Sequence, residues 1–162
     1  MAHTTENVES SEIRRWIDHA KIAELINHYA KVFDERTFTT ALPALFTEDA
    51  HVEMPPGDHR GIVDLDHFHD QVMAPFGRTQ HIFTNVLTDL DLTQAKFRAN
   101  THVTHVVLPT PGSRQDGTDN LFVAGGTLSG TTVRTTRGWR FRNVVLDVVW
   151  RSGDFSPPQP EN

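Results

Sequence analysis

After Gly77 the chain reads as strand almost to its end. Four long segments, 80–92, 95–109, 120–135 and 138–151, are rich in β-branched and aromatic residues. Turn-forming stretches separate them: Asp91–Thr93, "PTPGSRQDGTDN" and "TRG". Four consecutive strands with such short links pair antiparallel, and one face of their sheet must be buried. The first half of the chain therefore has to supply the cover.

It does so with helices. Apolar residues fall at 20, 22, 23, 25, 26, 29, 30, 32 and 33. That stripe is wider than a surface helix needs, so this helix should be covered on two sides. Asp18 reads as its N-cap, with Ile17 and Ile22 placed as a hydrophobic staple. Its end is expected near Asp34–Arg36. Residues 10–17 predict a short separate helix, and the polar residues 1–9 a frayed, disordered N-terminus. A second helix is expected over 40–46, with Pro43 tolerable only in its first turn. "DAHVEMP" alternates Ala50, Val52 and Met54 against His51 and Glu53, as a strand does, and "PPGDHRG" reads as a loop. Ile62, Leu65, Phe68, Val72, Met73 and Phe76 recur at helical spacing. Gly125 and Gly126, inside a strand pattern, mark a bulge or bend. The expected fold is α+β: a curved, mostly antiparallel sheet wrapped around the helices as a cone, with an apolar pocket at its open end. One domain is expected over 10–152, followed by a Pro-rich tail, 153–162.

Composition removes several function classes. With 162 residues and a net charge of −6, the chain lacks the basic footprint of a nucleic-acid binder. It has no cysteine, hence no thiolate nucleophile and no cysteine zinc site. No signal peptide and no membrane-spanning apolar run is apparent, so a cytoplasmic location is expected. Ten histidines invite a metal reading, but His67/His69 and His102/His105 do not share faces at their spacings. No metal and no cofactor is expected.

A few polar groups sit in apolar surroundings. Tyr29, the single tyrosine, lies on the apolar helix and needs a hydrogen-bond partner if buried. Asp34 lies five residues on, about 140° around the axis, where the helix is expected to end. It could equally pair with Arg36. His81 begins the first long strand and shares a face with Phe83, Asn85 and Leu87 on alternation. In "NTHVTHVV" His105 falls with Ala95, Phe97, Ala99, Thr101 and Val103 on the less polar face, and His102 on the other, provided no bulge intervenes. Asp147, in "VVLDVVW", shares a face with Trp139, Phe141 and Asn143, and a buried carboxylate needs a partner. Each of these histidines can be read as a satisfied core residue or as a catalytic base.

The blocks "IAELINHYAKVFDERTF", "LPALFTEDAHVEM", "RGIVDLDHFHD", "TQHIFTNV" and "RGWRFRNVVLDVVWRSGD" together resemble the SnoaL-like family of the NTF2-like superfamily, over roughly residues 15–152. The resemblance implies a cone-shaped α+β barrel, usually a homodimer through the sheet. It implies a cofactor-independent acid–base enzyme, foremost a dehydratase of a hydrophobic carbonyl compound, with isomerase and polyketide cyclase as close relatives. The tyrosine, the helical aspartate and the histidine of a "QH" strand start fall on Tyr29, Asp34 and His81. A further polar group falls on His105, or on His102 if the register slips. Phe33, Met54, Phe68, Phe83, His102, Trp139, Phe141 and Asp147 would bind the substrate. The additional tyrosines of scytalone dehydratase have no counterpart. The superfamily also implies two rivals: a non-catalytic subunit like the β subunit of ring-hydroxylating dioxygenases, and an epoxide hydrolase built on Asp147, Arg98 and Asn143. For a dimer, Val106, Leu108, Val144, Leu146 and Val148 are expected on the sheet's outer face.

Overall fold

The computed structural model describes residues 2–109, 120–153 and 155, with side chains from Glu9 onward. The Pro-rich tail expected over 153–162 therefore lies almost wholly outside the described residues. Among the described residues three helices and six strands follow in the order α1 (Ala2–Glu35), α2 (Phe38–Leu45), β1 (Phe46–Met54), β2 (Gly57–Arg60), α3 (Leu65–Met73), β3 (Phe76–Leu90), β4 (Gln94–Val107), β5 (Leu121–Thr135) and β6 (Gly138–Ser152). They form one curved sheet in the order β2-β1-β6-β5-β4-β3, with the helices on its inner face. Every neighbouring pair is antiparallel except β1 with β6. The sheet does not close. Its β3 edge is covered instead by α1, where His19 Nδ1 meets Thr88 Oγ1 at 2.9 Å.

The strand half of the sequence reading stands, and four local expectations need correction. First, α1 is continuous from Ala2, so there is no break before Asp18 and residues 2–9 are helical. Asp18 is buried mid-helix, not an N-cap. Its carboxylate takes the Arg134 guanidinium and the Trp139 indole N–H, the latter at 3.1 Å. A buried carboxylate with strand partners and an N-cap carboxylate look alike in sequence. Second, α2 begins at Phe38, which puts Pro43 in its second turn. The carbonyls of Pro43 and Phe46 are taken by the Arg140 guanidinium, which caps that end. Third, "PPGDHRG" contains β2, paired with β1 from Met54↔Gly57 to His51↔Arg60. Fourth, α3 ends at Met73, and Phe76 already belongs to β3.

Bulges shift the faces of two strands. The register of β3 on β4 slips between Thr84 and Leu87, with Asn85 at φ 54° in the gap. Leu87 is thereby turned out to 65% exposure, off the face of His81. On β6 the slip lies between Phe141 and Asn143. Val144 is driven into the core, while Asp147 becomes exposed. The slip expected at the paired glycines is present between Gly125 and Gly126. A Cβ on Gly126 would lie 2.0 Å from the Asp147 carbonyl oxygen, so only glycine fits there. β4 pairs with β5 without interruption from Gln94 to Val106. Its alternation therefore holds: His105 is buried and His102 exposed.

Between sheet and helices the core is mostly aromatic. Tyr29 is fully buried at its centre, with ring centroids 4.9 Å from Phe33, 5.3 Å from Phe46 and 5.4 Å from Phe141. The middle and the C-terminal end of α1 serve different purposes. Asp18 and Trp139 anchor its middle, and Asp34, in its last turn, lies sixteen residues on, about 24 Å along the axis.

Candidate active site

The last turn of α1 meets the first residues of β3. There Asp34 Oδ1 accepts a hydrogen bond from His81 Nδ1 at 2.7 Å. The His81 backbone N–H bonds both carboxylate oxygens, at 3.0 and 3.1 Å, and Thr79 Oγ1 donates at 3.1 Å. Asp34 is thus held by β3 at three donors, and Arg36 is not its partner. A carboxylate only accepts, so Nδ1 of His81 carries its proton and Nε2 keeps a lone pair in the neutral ring. Burial pushes the Asp34 carboxyl up, but the hydrogen bonds from the His81 ring and backbone, its charge, and Thr79 together hold it below the ordinary carboxylate range. The His81 side chain is 7% exposed and that of Asp34 28%. The His81 ring lies stacked on Phe33, with centroids 4.8 Å apart.

His105 stands edge-on to His81, ring centroids 5.2 Å apart, and stacks on Phe76 at 4.2 Å. Its Nδ1 is buried and has no partner. Burial first, then the charge on His81, lowers its pKa; Asp34 opposes this and Arg36 adds to it, leaving a value of about 4. The ring is therefore neutral at pH 7, with one N–H donor and one acceptor. A cavity of about 440 Å³ opens along the α1–β3 seam against the dyad, lined on the helix by Asn27, Ala30, Lys31 and Asp34 and on the strand by His81, Ile82 and Phe83.

Tyr29 points elsewhere. Its hydroxyl lies 2.8 Å from Nε2 of the fully buried His69, whose Nδ1 lies 2.7 Å from the Leu65 carbonyl. The carbonyl fixes the proton on Nδ1, so Nε2 accepts and Tyr29 donates. Burial keeps the tyrosine pKa well above its usual value, and holds that of His69 down at about 4. The phenolic hydrogen is thus committed inside the core, with Phe33 between this pair and His81. The sequence reading overlooked His69. The signal was present: Leu65, His69 and Met73 recur every fourth residue and are the buried face of α3.

Two buried neutral histidines make the fold acid-sensitive. Unfolded, each binds a proton near pH 6.5; folded, only near 4. Between those values the unfolded state holds more protons, so stability falls as pH drops through that window, by about 1.4 kcal/mol per pH unit for each histidine. Urea unfolding at pH 7 and pH 5 checks this. The double variant Tyr29→Phe, His69→Leu removes both ends of the bond and should lose one histidine's share of that slope. An unchanged slope would contradict the neutral assignment of His69.

Most of the other residues expected in the pocket lie outside it. Phe83 lines the cavity and Phe33 lies beneath His81. Met54 and Phe141 are buried in the core, and Phe68 is half-buried against His59 at 5.6 Å. Trp139 packs beside Asp18, where Arg134 lies 4.5 Å over its ring. His102 faces outward beside Trp150, at 5.7 Å. Asp147 is exposed by the β6 bulge, and Arg98 donates to Asn100, so no Asp–Arg–Asn site forms from them. Among the described residues no group of three metal-ligating side chains could hold an ion, and no helix is long and apolar enough to cross a membrane.

Comparison with known proteins agrees with this architecture. Residues 14–145 match the SnoaL-like domain family. No curated protein matches the sequence. A Kribbella flavida protein of known structure is 23% identical, with a TM-score of 0.74 over 85% of this chain and 95% of its own. A Novosphingobium aromaticivorans protein provisionally named a scytalone dehydratase is 19% identical, TM-score 0.74, covering 88% of this chain and 91% of its own. LinA type 2, a hexachlorocyclohexane dehydrochlorinase, is 16% identical, TM-score 0.74, covering 91% and 98%. At these identities the likeness is one of fold.

Proposed function

The chain belongs to the SnoaL-like domain family of the NTF2-like superfamily, and from that premise we propose that it is a general acid–base lyase. It would remove water from a hydrophobic β-hydroxy carbonyl compound. The observation that carries this reading is the 2.7 Å contact of Asp34 with His81 Nδ1, which leaves Nε2 free as a base. Nε2 takes the proton α to the carbonyl, and the electron pair moves onto the carbonyl oxygen as an enolate. Asp34 stabilises the resulting imidazolium. The enolate pair then returns to form the carbon–carbon double bond and expels the β-hydroxyl, which leaves as water with the proton from His81. His105 lies outside the cavity lining but 5.2 Å from the His81 ring, and with its proton on the unfilled Nδ1 it would hydrogen-bond the oxygen as charge develops. Tyr29, assigned that task by sequence resemblance, is replaced in it by His105. These steps use only side chains and call for no cofactor.

Two of the fold relatives are named for eliminations, loss of water and loss of hydrogen chloride, which favours a lyase. Isomerisation or aldol cyclisation would pass through the same enolate. The test is a panel of hydrophobic β-hydroxy ketones, with formation of the conjugated enone followed by its ultraviolet absorbance. Tight binding of panel members without any enone would favour the binding-module alternative.

The proposed assembly is a homodimer. Two residues of the expected contact face, Val144 and Leu146, turn inward at the β6 bulge. Leu108, Leu121, Val148, Val149 and Trp150 remain exposed by 42–72% near one end of the sheet. Light scattering should give twice the 18.3 kDa chain mass at micromolar concentration. A single-chain mass would remove the dimer from the reading.

A further inference from the structure

The chain ends α1 in an unusual way. Arg36, directly after the helix, has φ 52°. That left-handed conformation suits glycine or asparagine and is unfavourable for a long side chain. The guanidinium reaches onto the loop that joins α3 to β3, while the residue as a whole stays exposed. There Nη2 donates to the carbonyls of Met73 at 3.0 Å, Phe76 and Gly77 at 3.2 Å. Met73 is the last residue of α3, so its carbonyl would otherwise lack a helical partner. Phe76 and Gly77 are the first residues of β3.

The position of this clamp relates it to the dyad. Arg36 is two residues from Asp34. Gly77 is two residues from Thr79 and four from His81. The guanidinium therefore joins, a few residues away, the same two segments that Asp34 and His81 join. The dyad itself, Thr79 and packing also tie the end of α1 to the start of β3. We propose that Arg36 is a positioning residue for the active site: its guanidinium fixes α1 against β3 so that Asp34 meets His81 Nδ1 and leaves Nε2 free. Its role in turnover rests on the acid–base reading above; its role in the geometry does not. Its positive charge also faces the buried His105 and helps keep that ring neutral.

The test separates geometry from chemistry. Arg36→Gly removes the guanidinium while allowing φ 52° without strain, so a fold lost to backbone conflict is not the expected outcome. Arg36→Lys keeps the charge but not the planar fork. ¹⁵N-labelled imidazole spectra read the His81 tautomer with no substrate present. The wild type should show protonated Nδ1 and lone-pair Nε2. In Arg36→Gly these signals should move toward a tautomer average, with Arg36→Lys between. With a substrate in hand, kcat should fall about tenfold to a hundredfold, as expected for a small misplacement. KM should change little. Unchanged His81 signals in a folded Arg36→Gly overturn the proposal, whatever the activity. Should Arg36→Gly fail to fold, wild-type His81 signals in Arg36→Lys overturn it equally. A shifted tautomer in a protein that turns over no panel member would uphold the positioning role and sink the lyase reading instead.

Discussion

Asp34→Asn is expected to lower turnover by about 10²–10⁴, with ligand affinity nearly unchanged. The amide keeps the size of the carboxyl and one acceptor oxygen. That oxygen can still take the His81 backbone N–H or Thr79, which hold Asp34 now. What is lost is the charge that stabilises the imidazolium once Nε2 has taken a proton. An amide nitrogen turned toward Nδ1 would also favour the opposite tautomer, with the proton on Nε2, where it blocks the base. Both effects act on the reaction and not on the apolar walls, so kcat falls and KM stays. Steady-state kinetics over a pH series check this. Full turnover in the Asn variant would remove Asp34 from the mechanism.

His81→Ala should abolish measurable elimination, a loss of about 10²–10⁴ or more, because the base itself is gone. The fold should survive. Asp34 keeps the backbone N–H of residue 81 and the Thr79 hydroxyl, so its charge is not stranded. The cost is the ring's stacking on Phe33 and one charge-assisted hydrogen bond, about 1–3 kcal/mol together. Urea unfolding measures that cost and a turnover assay the rest. A strongly destabilised variant that retains turnover would show His81 to be a core residue.

Much of this arrangement was legible in the sequence. The four strands after Gly77 announced the sheet, and the wide apolar stripe announced a helix lying inside it. Strand alternation alone placed His105 inward and His102 outward, since β4 carries no bulge against β5. The Asp34–His81 partnership followed from resemblance, not from spacing, because forty-seven residues separate the two. Bulges defeated alternation elsewhere. One extra residue near Asn85 turned Leu87 outward, and another near Arg142 exchanged Val144 with the expected buried Asp147. Asp18 misled for a different reason. Its partners Arg134 and Trp139 lie more than a hundred residues away, so local sequence offered only the capping explanation. Tyr29 was read as needing a partner if buried and, by resemblance, as catalytic; it is buried. The partner is His69, reached across α3, and no short-range pattern joins the two.

The central claim is that Nε2 of His81 removes a proton from carbon. Exchange of the α-proton of β-hydroxy ketones in deuterated buffer reads that step directly, by NMR or mass, even where elimination is slow. The account predicts deuterium incorporation by the wild-type protein, none above background by His81→Ala, and a rate reduced about 10²–10⁴ in Asp34→Asn. Ligands that bind to the wild type and yet acquire no deuterium would contradict it.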